Sequence, residues 1–203
     1  YLISENLWQL RELPRRLVAA GDRVYATLGY GRPVVAIDAA TGEILRTYQG
    51  TDNAHEIVCA DGRLYVVVSE PVTADTPTTG AVLREFPVWR GSYLEYTTKY
   101  MDKHVRVFDA DTGREIWQKT DRDVKTVLPL TLIVSDGRVF FQNESALIAL
   151  DAASGEQLWR TDRPSIHQRY AWLVPTVVAV DGVVLSADRA KDKPRLPDKE
   201  AKA

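Results

Sequence analysis

One phrase occurs three times in this chain: Ala36-Ile-Asp-Ala-Ala-Thr-Gly-Glu-Ile-Leu-Arg46, Val107-Phe-Asp-Ala-Asp-Thr-Gly-Arg-Glu-Ile-Trp117 and Ala149-Leu-Asp-Ala-Ala-Ser-Gly-Glu-Gln-Leu-Trp159. Repetition at this spacing means stacked copies of one supersecondary unit, each too small to bury its apolar face alone. The phrase reads as a hairpin. An apolar run ends in Asp38, Asp109 or Asp151, and a polar turn closes on Gly42, Gly113 or Gly155. Aspartate bonds forward to its own backbone and opens the turn; glycine supplies the positive φ that closes it. A second strand follows, with Trp117 or Trp159 four residues after the glycine in two copies and Arg46 in the first.

A different hairpin precedes each phrase. Asp61-Gly62, Asp136-Gly137 and Asp181-Gly182 each separate two apolar, β-branched runs, and the earliest copy inverts the pair to Gly21-Asp22. Asp-Gly between such runs is the strongest short hairpin signal, because a type I′ turn needs positive φ at both central residues. Two hairpins per unit make a four-stranded antiparallel sheet. The residue after this turn recurs at Arg23, Arg63, Arg138 and Val183, in steps of 40, 75 and 45 residues. A four-stranded propeller blade of the WD40 type takes about 40–45 residues. The long step contains a non-repetitive stretch from Pro71 to Lys103, after which the repeat is expected to resume at Val105.

The expected fold is therefore all-β, a β-propeller of four-stranded antiparallel blades with three full blades and half of a fourth. Residues 1–16 form a lead-in segment suited to complete another blade. Blade one spans 17–50, blade two 51–124 with the insertion at 71–103, blade three 125–165 and the half blade 166–188; 189–203 are a charged tail or linker. Open blade faces at both ends give the expectation of an arc of a larger ring.

Ala-x-Asp-x-x-Thr/Ser-Gly-x-x-x-Trp resembles the blade signature of the pyrroloquinoline-quinone-like (PQQ-like) propellers. That family includes quinoprotein alcohol dehydrogenases and BamB-type scaffold lipoproteins. The resemblance covers residues 17–187; the third copy fits best, while the second has Val107 for the alanine and the first Arg46 for the tryptophan. It implies that Trp117 and Trp159 dock each blade on its neighbour, and that Asp38, Asp109, Asp151, Gly42, Gly113 and Gly155 brace the docking turns. Recurrence once per blade marks these aspartates as turn formers rather than catalytic groups.

Fold does not fix function, and the resemblance implies two classes. One is a non-enzymatic scaffold or interaction propeller. The other is a quinoprotein dehydrogenase, with PQQ and calcium at the ring centre and an acidic base. That branch commonly places adjacent cysteines, a metal-ligating Glu and Asn, and a base Asp in its site. Here Cys59 is the single cysteine, and no matching motif surrounds Asn6, Asn53 or Asn143. The expectation is an interaction role, with no catalytic residue, metal ligand or cofactor in this segment. PQQ and calcium belong only to the dehydrogenase alternative. The expected partner is a protein, or the remaining blades of the parent propeller. A periplasmic or otherwise extracytoplasmic location follows from the resemblance alone.

Composition excludes little else. A net charge of −2, with 45% hydrophobic and 27% charged residues, gives no basic footprint for nucleic acid. No run of about 18 apolar residues is present, so no spanning helix is expected. Cys59, in an apolar run, reads as an inert core thiol. His55, His104 and His167 lack metal-ligand spacing, and Gly29-Tyr-Gly-Arg32 reads as a turn, since no Lys-Ser/Thr follows. The insertion carries Phe86, Trp89, Arg90, Tyr93, Tyr96 and Tyr100. Aromatic residues and arginine are enriched at interface hot spots, and long loops in compact domains are commonly functional. Both an interaction surface and a private mini-core fit that composition.

Overall fold

The computed structural model describes residues 15–29, 31–69, 102–128, 130–165 and 175–188. Within them, three four-stranded antiparallel sheets follow one another along the chain. The first contains β1 (Leu17–Ala20), β2 (Arg23–Thr27), β3 (Val34–Asp38) and β4 (Ile44–Tyr48). The second contains β5 (Ala54–Ala60), β6 (Arg63–Ser69), β7 (Lys103–Asp109) and β8 (Glu115–Lys119). The third contains β9 (Ile133–Ser135), β10 (Arg138–Gln142), β11 (Ala146–Asp151) and β12 (Gln157–Asp162). A two-stranded sheet, β13 (Thr176–Val180) and β14 (Val183–Ala187), comes last. Each strand pairs only with its sequence neighbours, which is the blade topology of a β-propeller.

The hairpins form where their turn chemistry dictates. Asp61 and Gly62, Asp136 and Gly137, and Asp181 and Gly182 all have positive φ, between 49° and 75°. In blade one only Gly21 does, at 60°; this is the II′ pattern, which needs glycine at the first central position and accounts for the inverted pair.

The core lies between blades rather than within them. Successive side chains of a strand face opposite ways, so a central strand serves two interfaces. On β6, Leu64 and Val66 pack toward blade one with Tyr25, Tyr48 and Phe108. Tyr65 and Val67 pack toward blade three with Phe141 and Ile148. The first strands β1, β5, β9 and β13 lie side by side in that order, forming the inner lining of the arc.

The structure differs from the sequence reading at two connections. β7 begins at Lys103, in register with Ser69, so the repeat resumes two residues before Val105 and Lys103 belongs to the blade. Polar Lys103 and His104 hide that strand start from an apolar pattern; ladder pairing decides it. His55 and His104 lie within β5 and β7. A one-turn helix, α1 (Arg122–Lys125), joins β8 to the third blade, with the Asp121 carboxylate capping the N–H of Asp123. Four residues are too few to show a helical period in sequence.

Candidate functional site

The three aspartate turns share one geometry. Asp38 Oδ1 accepts from the N–H of Ala40 and Thr41 and from the Thr41 hydroxyl, at 2.9, 2.7 and 3.0 Å. Asp109 Oδ1 does the same with Asp111 and Thr112, at 3.1, 2.7 and 2.8 Å. Asp151 Oδ1 repeats it with Ala153 and Ser154, at 2.9, 2.8 and 3.0 Å. The Thr or Ser backbone N–H, then its hydroxyl, hold each carboxyl below the usual carboxylate range. The turn is also tied to the first hairpin of its own blade. The N–H groups of Ala39, Ala110 and Ala152 donate to Asp22, Gly62 and Gly137 carbonyls, each at 2.9 Å. Both turns therefore sit at one end of each blade, and the β6–β7 connection leaves from the other.

Each turn can also receive the preceding blade. Trp117 is buried; its indole N–H donates to the Ala152 carbonyl at 3.1 Å and its ring roofs Gly155. A Cβ on Gly155 would lie 2.8 Å from that ring. Arg63 donates to the same Ala152 carbonyl at 3.0 Å. One junction earlier the work is divided. The Arg46 side chain roofs Gly113 and donates to the Thr112 carbonyl at 2.7 Å. Tyr48 supplies the buried donor in place of an indole, reaching the Ala110 carbonyl at 2.6 Å. Burial pushes the Tyr48 phenol well up, so it stays protonated and remains a donor. Arg23 reaches Ala110 O at 3.3 Å and Asp111 at 2.6 Å. Arg46 thus bonds a backbone carbonyl of the next blade; an arginine at that position is expected from sequence to seek solvent or a carboxylate.

Trp159 stands at the register position of Trp117 and Arg46, opposite Ala149 as they stand opposite Val107 and Ala36. A β-bulge follows each of these pairs and re-aims the side chain. Trp159 is half-buried, with its ring tilted on Phe140 at a centroid distance of 5.9 Å. The roles of Arg23, Arg63 and Tyr48 escape a reading of the sequence. The arginine column after the hairpin turn is visible there, but its target on another blade is not; Tyr48 carries no signal at all.

A second polar cluster lies at the other end of the inner strands. Glu56 of β5 has a side chain only 2% exposed and pairs with Arg15 at 2.5 Å. Arg15 also donates to the Leu132 carbonyl at 2.8 Å and accepts from the Ile57 N–H at 2.8 Å. One arginine ahead of β1 therefore ties three blades together. Glu56 Oε2 has no hydrogen-bond partner among the described residues. Burial pushes the Glu56 carboxyl up to about 7, against the opposing pull of Arg15, the Leu132 amide and buried Lys103. Lys103 donates to the Val127 carbonyl at 2.9 Å, binding the start of β7 to the approach of blade three.

The remaining candidates are dispersed. Phe86, Trp89, Arg90, Tyr93, Tyr96, Tyr100 and His167 lie outside the described residues. Cys59 is half-buried beside Tyr25, and burial raises its thiol. Gly31 has positive φ, and the Arg32 N–H donates to the Gly29 carbonyl at 3.4 Å. Among the described residues no three His, Cys, Asp or Glu side chains are grouped as a metal site, and no helix is long and apolar enough to cross a membrane.

Sequential four-stranded blades docked through a repeated aspartate turn define a β-propeller repeat protein. The family model described as "Outer membrane protein assembly factor BamB" matches residues 3–86 and 101–192. The chain belongs to that family, the PQQ-like propeller repeat proteins of BamB type. It is 27% identical over 169 residues to the serine/threonine-protein kinase AfsK of Streptomyces coelicolor, covering 78% of this chain and 19% of the kinase. The computationally designed Ika8 protein superposes with a TM-score of 0.54 at 15% identity, covering 86% of this chain and 42% of that one. BamB from Moraxella catarrhalis gives a TM-score of 0.45 at 15% identity, covering 85% and 44%. The chain thus spans less than half the length of each.

Proposed function

We propose that this chain is a non-enzymatic interaction or scaffold segment of a PQQ-like propeller, working in an extracytoplasmic compartment and contacting protein. The observation that carries the reading is the outward face of the last sheet. Val178, Val180, Val183 and Leu185 are between 46% and 59% exposed. They form two cross-strand pairs, Val178 with Leu185 and Val180 with Val183, on one face. An apolar face of this kind in water marks a surface made to be covered. The turn aspartates support the same reading. Each spends one oxygen on three local hydrogen bonds, which suits a brace between blades better than a ligand for calcium, a cation that takes six to eight converging oxygens.

Quinone chemistry tests the reading directly. Calorimetric titration of the chain with PQQ plus calcium is expected to give no saturable heat. Saturable binding with a micromolar constant would replace the scaffold reading with a fragment of a quinoprotein dehydrogenase.

A further inference from the structure

Among the described residues, every buried polar or charged side chain lies at the end of the blades away from the aspartate turns. Two of them carry charge: Glu56 of β5 and Lys103 of β7, each 1% exposed. They share a face. Glu56 lies abreast of Val67 and Val105, and Lys103 lies abreast of Ser69 one layer nearer the blade end. Val67 and Val105 place that face toward blade three.

A third charge arrives from another blade. Arg15 meets Glu56 in a parallel bridge, and its carbonyl accepts the Ile57 N–H at 2.8 Å. One guanidinium nitrogen, Nη2, then bonds both Glu56 Oε1, at 2.5 Å, and the Leu132 carbonyl, at 2.8 Å. Leu132 leads into β9 of blade three. The Arg15 side chain is 38% exposed and that of Glu56 only 2%. The arginine can turn out into water; the carboxyl group cannot.

Three features make this clamp depend on a proton. First, it uses one carboxylate oxygen. Glu56 Oε2 is buried and has no hydrogen-bond partner among the described residues. A buried carboxylate with an unsatisfied oxygen is costly to keep ionised. Burial accordingly holds the Glu56 carboxyl up at about 7, against Arg15, the Leu132 and Leu130 amides and Lys103. Second, Leu130 has a φ of 59°, a left-handed conformation uncommon for a bulky side chain. Amides on either side of a left-handed turn are the backbone's own anion cradle, and the Leu130 and Leu132 amides both favour the ionised carboxyl. Third, a hydrogen bond to a carboxylate is roughly twice as strong as one to a neutral oxygen.

We propose that Glu56 is a proton-operated latch at the inner end of the arc. Ionised, it holds Arg15 across β5 and onto the Leu132 carbonyl, so that the lead-in to blade one is seated on blade three. Protonated, it releases the Arg15 side chain to solvent and leaves the Leu130 amide without the charge that it faces. The blades stay stacked, because the proton removes the cost of a buried charge. Only the contact that needs the charge loosens. Whatever binds this end in one state alone is thereby made sensitive to pH.

The charged groups that face Glu56 are Arg15 from the lead-in to β1 and Lys103 from β7. β6 contributes Val67 and Ser69, and the approach to β9 contributes amides. His104 pairs with Val68 and so lies on the opposite face of the sheet. His55, beside Glu56 at the bulge of β5, is the rival proton acceptor.

The full chain, labelled with carbon-13 and nitrogen-15, can be titrated by NMR from about pH 5 to about pH 9. The Glu56 carboxyl carbon, the Arg15 guanidinium nitrogens and the Leu132 carbonyl carbon are expected to shift together, with one midpoint near 7. Occupancy of the Leu132 carbonyl by Arg15 should fall about tenfold across it, the difference between a charge-assisted and a neutral clamp. Glu56→Gln should leave Arg15 in its low-pH state at every pH. Arg15→Gln should raise the Glu56 midpoint, because the coupling is reciprocal. His55→Asn should leave the three signals moving together.

A Glu56 carboxyl that titrates near 4.5 in the unaltered chain overturns the latch, as do guanidinium signals that ignore its titration. Neither result needs a variant. An Arg15 transition that survives Glu56→Gln and disappears in His55→Asn belongs to the histidine and overturns it too. A Glu56 midpoint unmoved by Arg15→Gln shows the two groups to be uncoupled, with the same consequence.

Discussion

Trp117 and Trp159 share a register position and a motif, yet among the described residues only the Trp117 indole has a hydrogen-bond acceptor. Its ring is buried against Gly155 and edge-on to Tyr65 at 6.4 Å, and its N–H is spent on Ala152. Trp117→Ala should therefore cost about 3–5 kcal/mol, the range for large aromatics removed from cores. Trp159→Ala should cost clearly less, since that ring is only partly buried. Urea melts of the two variants decide this; equal costs would mean that docking contributes nothing beyond burial in the parent sheet. Glu56 supplies a prediction in pH. Its folded carboxyl titrates near 7 against an ordinary 4.5. Between those values the folded chain binds the extra proton, so this group favours folding most at low pH and progressively less as pH rises toward 7. Glu56→Gln keeps an acceptor for Arg15 and removes the titration. The stability difference between wild type and variant should shift by roughly 1–3 kcal/mol in the variant's favour from pH 4.5 to pH 7.5. Parallel stability curves across that window would refute the assignment. The turn aspartates act oppositely and at lower pH, and they cancel in the comparison.

At the scale of the element, the aspartate turn is one object in three states of cover. Gly42 has open space around its missing Cβ, Gly113 lies under Arg46, and Gly155 lies under Trp117. All three have φ between 72° and 77°. Gly42→Ala should thus cost only the left-handed backbone penalty, about 1–2 kcal/mol. Gly155→Ala should cost more and should alter the near-ultraviolet circular dichroism of Trp117, because the ring must move. Equal costs with an unchanged spectrum would show that the ring is not seated on the glycine. These turns were legible in sequence because their chemistry is local: an Asx bond, a positive φ and an Asp-Gly hairpin all act within a few residues. Arg23 meeting Ala110, Tyr48 replacing an indole and Arg46 finding a carbonyl were not legible, because each partner sits on another blade more than 60 residues away. Glu56 was hidden for a related reason. A polar residue early in a strand reads as solvent-facing, and only the stacking of inner strands beside Arg15 buries it.

Across the whole molecule, stability comes from blades stacked in sequence, so what interrupts a blade without joining a ladder should be dispensable to the fold. The stretch between β6 and β7 lies outside the described residues, and its non-repetitive sequence predicts that it is such an interruption. β6 and β7 pair without a break from Arg63 opposite Asp109 to Ser69 opposite Lys103. The register is therefore closed on the strand residues themselves, so the residues between them are expected not to be needed to set it. Lys103 must stay, since it is buried and bonded to Val127, and Asp102 pairs with Lys125 at 2.5 Å. Replacing residues 70–101 by one glycine leaves Ser69-Gly-Asp102-Lys103. That is the Gly-Asp turn already used at Gly21-Asp22, whose positive φ at the glycine matches the right-handed twist of a two-residue hairpin. The shortened chain is expected to keep its β-sheet circular dichroism and a single cooperative thermal transition. A shorter loop also lowers closure entropy by about 0.6 kcal/mol for each halving of length, which favours the folded state slightly. Loss of the β signal would show that residues 70–101 belong to the core of blade two. Retention would assign Phe86, Trp89, Arg90, Tyr93, Tyr96 and Tyr100 to a role outside folding. Comparing partner capture by the two chains would then test them as a contact surface.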